Sequence, residues 1–296
     1  MSDPDSTQAT DSLRERALTE EVIGSFAGAS SPRNRAVLAS LVRHLHAFIR
    51  EVRLSDEEWR AGIDFLTRTG RITDERRQEF VLLSDVLGAS MMTVAVNQPE
   101  DPRVTESTVF GPFFLAESPQ IELGGDLGLG APGQPCFVEG TVRGPEGNAV
   151  RGALIEVWGA DEEGLYDVQR KGMHTANRGH LFADERGAFC FWSIRPTAYP
   201  IPTDGPVGEL LRTANRGPMR PAHLHFMISA PGRRTLVTHL FAAGDRYLAK
   251  DAVFGVKDSL VVVFNEHPER EAPPGRQVDG PWSSVSYDFV LAPNSS

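Results

Sequence analysis

The chain has 296 residues, 40% of them hydrophobic and 24% charged, with a formal net charge of −10. That length fits one large or two ordinary domains, and the composition is that of a soluble globular protein. The acidic balance gives a nucleic-acid role no electrostatic support, and two cysteines, Cys136 and Cys190, imply neither a disulfide framework nor a cysteine metal cluster. The N-terminal MSDPDSTQATD lacks the basic start and apolar core of a signal peptide. No stretch has the apolar length of a membrane span, so a cytoplasmic location is expected.

In chain order, residues 1–10 read as a disordered tail and residues 11–98 as a helical domain. A first helix carries Leu13, Leu18, Val22, Ile23 and Phe26 and ends near Gly28. Ser31-Pro32 supplies an N-cap and a first-turn proline for a second. Ser55-Asp56-Glu57-Glu58 is a capping box that opens a third, which stops near Gly70. A fourth is predicted from Thr73, with Phe80, Leu83, Leu87, Met91 and Val94 as its apolar stripe. Residues 99–135, rich in proline and glycine, read as a linker segment.

From 136 to 296 the pattern is short β-type runs split by turns, a β-sandwich or barrel. The runs 136–144 and 153–160, joined through Pro145-Glu146-Gly147, read as a hairpin. Further strands are predicted at GAFCFWSI, HLHFMIS, TLVTHLF, SLVVVF and VSYDFVL. The fold class expected is therefore mainly β with an α N-terminal domain.

The chemistry concentrates in RPAHLHFMIS. On a strand, residues i and i+2 share a face, so His223 and His225 can converge on one metal. The same tripeptide at His44-Leu45-His46 lies in a run of helical period, where i and i+2 diverge, and reads as ordinary helix surface. Tyr166 and Tyr199 follow predicted strands at their ends, where sandwich proteins gather functional loops. Each alone reads as a packed tyrosine with its hydroxyl bonded; together with the histidine pair they make a four-donor set. A cation reverses the ordinary preference of tyrosine for its neutral form. Phenolate is a hard anionic ligand that favours iron(III), and the set differs from both ferrous two-His-one-carboxylate sites and structural zinc sites. Tyr287 reads as a packing residue and Tyr247 as a loop residue. His174 and His180 flank HTANRGH, which reads as a loop.

Tyr166, Tyr199, His223 and His225, with Arg220 ahead of the pair, resemble the signature of intradiol ring-cleavage dioxygenases. VFGPFF, AYPIPTDGPVG, RPAHLHFMISAPG and DAVFGVKDSL are most similar to the hydroxyquinol-cleaving branch. The resemblance spans nearly the whole chain. It implies a β-sandwich catalytic domain, a small helical dimerisation domain, one Fe(III) per subunit, and an aromatic diol or triol plus O2 as substrates. It also implies a homodimer through the helices, with phospholipid held there. Tyr166, His223 and His225 would remain ligands, while Tyr199 would leave and act as a base. Arg220, otherwise readable as a surface ion-pair partner, would stabilise developing negative charge. The implied pocket is Leu82, Asp85, Val109, Phe110, Gly111, Pro112, Phe113, Ile201, Pro202, Arg220 and Val253.

Asp85 is either turned to solvent or the acceptor for a third substrate hydroxyl. His239, where catechol-cleaving relatives are expected to carry glutamine, is a packed strand histidine or a group near the iron. The expected reaction opens hydroxyquinol to 3-hydroxy-cis,cis-muconate. Alternatives are catechol or chlorocatechol cleavage by the same chemistry, and a non-enzymatic sandwich that binds a ligand or partner.

Overall fold

The computed structural model describes residues 4–75, 77–128, 130–169, 175–269 and 276–294. The chain forms two compact units, Met1–Thr67 and Arg68–Ser296.

The first unit contains helices α1 (Pro4–Ser25) and α2 (Pro32–Val52), and α3 (Asp56–Arg71) runs across the boundary. The expected tail at 1–10 is helical from Pro4, a residue suited to a first turn, and no further proline or glycine follows before Gly24. Both sequence caps form. Ser31 accepts from the Asn34 N–H at 3.1 Å. In the capping box, Glu58 accepts the Ser55 N–H at 2.8 Å and Ser55 accepts the Glu58 N–H at 3.2 Å. Helix α1 meets α2 through Thr19, whose hydroxyl lies 3.1 Å from His46 Nδ1 and accepts from Arg50 at 2.9 Å. Among the described side chains of this unit, Thr19 and Ala39 alone are buried, while Leu41, Leu45, Phe48, Trp59 and Ile63 are exposed.

The second unit corrects the expected fourth helix. Asp74 closes a turn by accepting the Arg77 N–H at 2.7 Å, and the helix begins only at α4 (Glu79–Val86). Gly88, at φ 72°, then breaks it from α5 (Ala89–Asn97). The break turns the stripe: Leu82, Val86 and Met91 are buried while Phe80 and Leu87 are exposed. Leu82, Val86 and Met91 pack with Val109, Ile201, Val207, Leu211 and Val253. So α4 and α5 belong with the sheets, not with the helical domain drawn to residue 98. Among the described residues no single helix is long and apolar enough to cross a membrane.

The sheets contain β1 (Pro135–Arg143), β2 (Leu154–Trp158), β3 (Arg178–Phe182), β4 (Ala188–Ile194), β5 (Tyr199–Pro200), β6 (Met219–Arg220), β7 (His223–Ser229), β8 (Leu236–Ala242), β9 (Val261–Val262), β10 (Asn265–His267), β11 (Trp282–Ser286) and β12 (Phe289–Val290), with helix α6 (Pro206–Thr213) between β5 and β6. One five-stranded sheet runs β10-β11-β1-β12 with β4 also on β1; the other runs β3-β2-β7-β8-β9; β5 and β6 pair alone. The predicted hairpin of β1 with β2 does not form. The turn closes, with the Gly144 N–H donating to Asn148 O at 2.8 Å and Gly147 at φ 84°, but β2 belongs to the other sheet. The local turn signal was sound; pairing was decided by a core that both sheets share.

Among the described residues, 99–135 carry no helix, and no strand before Pro135, yet they are more than a linker. Thr105 and Leu127 donate backbone hydrogen bonds to Val290 and Trp192 of one sheet, Thr108 and Ile121 to Val237 and His180 of the other. Val104, Val109, Phe113 and Leu127 are buried there.

Candidate metal centre

Strand β7 lies between β2 and β8, and its alternation settles the two faces. Leu224, Phe226 and Ile228 enter the core between the sheets, and His223 and His225 share the opposite face. Across the strands His225 stands opposite Trp158 and His239, and His223 opposite Phe241. The Trp158 ring stacks on His225 at 4.8 Å. Tyr166 arrives eight residues after Trp158, and Tyr199 opens β5, paired with Arg220 on β6.

The four donor atoms converge. Tyr166 Oη lies 3.0 Å from Tyr199 Oη and 2.9 Å from His225 Nε2; His223 Nε2 lies 3.1 Å from His225 Nε2 and 3.5 Å from Tyr199 Oη. Donors about 2.0–2.2 Å from one metal, at angles between square and tetrahedral, stand about 2.8–3.6 Å from each other. The observed spacings fall in that range, and all four side chains are buried.

The proton inventory fits as well. His223 Nδ1–H donates to Pro221 O at 2.7 Å, leaving the Nε2 lone pair toward the tyrosines. Burial, with the Arg220 charge, drives the His223 pKa down to about 3; burial and its charged neighbours drive His225 far down too, so both rings are neutral. Burial pushes both phenols above the usual tyrosine range, Tyr166 further because the Tyr199 oxygen adds to it. Without a cation these phenols stay protonated; with one they become anionic ligands.

His239 is buried beside the pair. Its donor atom falls within 4.8 Å of those of His223 and His225, a looser approach than the tyrosines make. Its Nδ1 lies 3.5 Å from Arg220 Nη2, and its Nε2 has no partner. His44 is exposed and His46 is engaged by Thr19. His180 sits on β3 bonded to Ser118, whereas His174 lies outside the described residues.

Arg220 is buried and held from one side. Asp251 accepts from Nε at 3.1 Å and Nη2 at 3.4 Å, leaving Nη1 toward His223 Nε2 at 3.0 Å. Burial, the largest single effect, pushes the Asp251 carboxyl up, but the Arg220 charge, the hydrogen bonds from Arg220 and the Gly255 N–H, and His223 together hold it below the usual range, so the pair is ionised. The surface ion-pair reading of Arg220 is thereby replaced by a buried one. Asp251 escaped the sequence reading, as did Trp158 and the Arg178–Asp167 pair at 2.7 Å. That pair braces the segment after Tyr166, and Arg178 also donates to Phe113 O at 2.8 Å. Of these, Trp158 had a signal in its strand; the other partners join segments far apart in sequence.

The expected pocket residues take several different places. Leu82, Val109, Ile201 and Val253 share one apolar cluster. Leu82, Pro112, Phe113 and Pro202 line a cavity of about 290 Å³, and the Phe113 ring stacks on Tyr166 at 4.4 Å. Gly111, at φ 78°, lies against His225; an added Cβ would come 3.1 Å from the ring. Phe110 is 42% exposed and turns toward Phe114 and Trp158. The solvent-facing reading of Asp85 fails: it is 2% exposed, and burial raises its pKa from 3.8 to about 6, against opposing effects of the Ser90 hydroxyl and the Arg220 charge.

Comparison with known proteins agrees with this arrangement. Residues 31–105 match the family described as the catechol dioxygenase N terminus, and residues 109–293 match the family described as dioxygenase. A hydroxyquinol 1,2-dioxygenase of Nocardioides simplex is 56% identical, over 99% of this chain and 100% of that protein. A 6-chlorohydroxyquinol 1,2-dioxygenase of Cupriavidus pinatubonensis is 52% identical, over 93% and 96%. The crystal structure of hydroxyquinol 1,2-dioxygenase from Pseudomonas putida DLL-E4 superposes with a TM-score of 0.86 at 44% identity, covering 96% of this chain and 100% of that one. Relatives of this kind are enzymes, which removes the non-enzymatic sandwich from consideration, and the chain belongs to the intradiol ring-cleavage dioxygenase family.

Proposed function

We propose that this enzyme opens hydroxyquinol (benzene-1,2,4-triol) with O2 between its adjacent hydroxylated carbons. The product is 3-hydroxy-cis,cis-muconate, the enol form of maleylacetate. Tyr166, Tyr199, His223 and His225 hold one Fe(III) per subunit. The observation that carries the substrate choice is the buried Asp85, near enough to Arg220 to feel its charge. That carboxyl already takes the Ser90 hydroxyl, and the third hydroxyl of the triol supplies a further donor that catechol lacks. The names of the similar proteins point the same way.

Ferric iron, when bound, supplies Lewis acidity and a template for the diol. Everything else falls to the chain. Tyr199, whose burial favours its protonated form, would take a proton from a substrate hydroxyl. Arg220, clamped by Asp251 along one edge, offers Nη1 to the oxyanion that develops on the substrate. Asp85 orients the ring through the third hydroxyl. Leu82, Val109, Ile201 and Val253 give the flat ring an apolar wall and exclude water. Those apolar walls also suit catechol or chlorocatechol, the second reading.

The helical unit supports a homodimer: Leu41, Leu45, Phe48, Trp59 and Ile63 are large apolar side chains left in water by one chain. A cavity of about 330 Å³ within it, lined by Leu18, Ile49 and Leu54 with Arg50 and Arg53, suits a phospholipid chain and its headgroup.

The test is oxygen uptake with hydroxyquinol and catechol side by side, corrected for spontaneous oxidation. A kcat/KM preference of about 100-fold for hydroxyquinol is expected, within what one buried polar reader supplies. A preference for catechol would overturn the role of Asp85 and leave the iron chemistry standing.

A further inference from the structure

The cavity beside Phe113 is closed on one side by Pro112, Phe113, Val168 and Gln169, and has two further walls distant in sequence. One is the turn into α4, with Arg77, Glu79 and Leu82; the other is the segment after β5, with Pro202 and Asp204. These walls also continue into the centre, the first toward Asp85 and the second back to Tyr199 and Ile201. Two fasteners join them. Arg77 meets Asp204 in a two-pronged pair, Nη1 to Oδ2 at 2.9 Å and Nη2 to Oδ1 at 2.8 Å. Behind it, Glu79 accepts from Arg77 Nε at 3.2 Å and Nη2 at 3.1 Å, and its other oxygen accepts the Val207 N–H at 3.1 Å.

The fasteners differ in their access to water. The Glu79 side chain is 1% exposed, whereas that of Asp204 is 72% exposed. The inner one is therefore a fixed part of the fold, and the outer one is a latch that water and salt can reach. Gly205 sits between them, and a Cβ there would collide with both the Glu79 carboxylate and the Arg77 guanidinium, so the walls are already in contact at this point.

Resting on the reading that the diol is bound at the tyrosine–histidine centre, we propose that the Arg77–Asp204 pair is a strap across the mouth of the pocket. It makes Arg77 a specificity-determining residue against bulky ring substituents. A ring whose two hydroxyls face the centre turns its opposite edge outward, toward the wall formed by Leu82 and Pro202. A substituent on that edge needs the two walls to part, and the strap opposes their parting. Arg77 touches neither the reacting carbons nor the donor atoms; it acts by holding Pro202 and Asp204 against α4.

The test uses the full-length, iron-loaded enzyme turning over hydroxyquinol, with catechol and 4-tert-butylcatechol as competitors. The readout is the ratio of their two inhibition constants in wild type, Arg77→Gln and Asp204→Asn, at low and high salt. Both variants are expected to bind the bulky competitor about tenfold better relative to catechol. In wild type the ratio should move the same way as salt rises from about 0.02 to 0.5 M, a range over which exposed charges become screened. In the variants salt should no longer move it. Asp204→Asn changes an exposed group and keeps the test valid if Arg77→Gln folds poorly. An unmoved ratio, or equal weakening for both competitors, overturns the strap and leaves the catalytic reading intact. Wild type inert toward hydroxyquinol and both catechols overturns the catalytic reading, and the strap with it.

Discussion

His-Leu-His occurs at 44–46 and again at 223–225, and the two copies share nothing but their letters. On α2 the histidines point apart: His44 is in water and His46 is spent on Thr19. On β7 they lie side by side, Nε2 to Nε2 at 3.1 Å, sealed from solvent and faced by two tyrosine oxygens. The backbone period, not the motif, decides whether two imidazoles can act on one ion. The second copy also has what the first lacks, a stacked Trp158 and a carbonyl that fixes the His223 tautomer.

The largest expected effect breaks the comparison at β7. His223→Ala and His225→Ala should each lose iron, and with it the visible band expected from charge transfer between tyrosinate and iron(III), with kcat/KM falling on the order of 10³-fold or more, beyond the losses seen for groups outside the donor set. Iron content and the visible spectrum check this, and retention of both in either variant would exclude that histidine as a ligand. Tyr166→Phe and Tyr199→Phe should each shift the visible band; no shift would count against that tyrosine.

Asp85 comes next. Asp85→Ala should cost hydroxyquinol turnover about 100-fold and catechol turnover far less; equal losses would remove its role as a reader. Asp85→Asn sharpens the electrostatics. Between the ordinary value of 3.8 and the folded value of about 6, the unfolded chain has released a proton that the folded chain keeps, so wild-type stability falls as pH rises through that window. Asparagine has no such proton. The variant should therefore gain on wild type between pH 4 and 7 by up to about 3 kcal/mol, from the factor of about 1.4 kcal/mol per pH unit. Urea unfolding at the two pH values measures it, and parallel curves would mean Asp85 is not shifted.

The smallest effects belong to the helical copy. His46→Ala gives up one hydrogen bond, about 1 kcal/mol. His44→Ala should lie within about 0.5 kcal/mol of wild type and leave iron content untouched. Iron loss in either variant would show that the two copies are not as separate as their backbones make them.

What could be read from the sequence was whatever the chain encodes over a few residues. Ser31, the Ser55–Glu58 box and the seven residues of β7 all fall where local spacing puts them. His223 and His225 could be grouped from the period of β7 alone, and the structure brings Tyr166 and Tyr199 to the same point. The failures share one cause, a partner distant in sequence. The turn at 144–148 looks like a hairpin until β4 and β11 compete for β1. Helix α4 looks continuous with α5 unless Gly88 is given its left-handed φ. Asp251 clamps Arg220 across 31 residues, and nothing near either residue announces the other.

The two-residue ladder of β5 with β6 has a consequence for how the centre can move. Tyr199 and Arg220 are register partners in it, so the proposed base and the proposed cation are stitched together through their main chains. A shift of one Cα would drag the other. A swing of the Tyr199 side chain about its Cα leaves that tie intact, like a door on a fixed post. The space beside the post is kept by an absent side chain: a Cβ on Gly164 would stand 2.6 Å from that of Tyr199. A side chain at Gly164 would press on Tyr199 itself, so this glycine keeps the room in which that tyrosine sits.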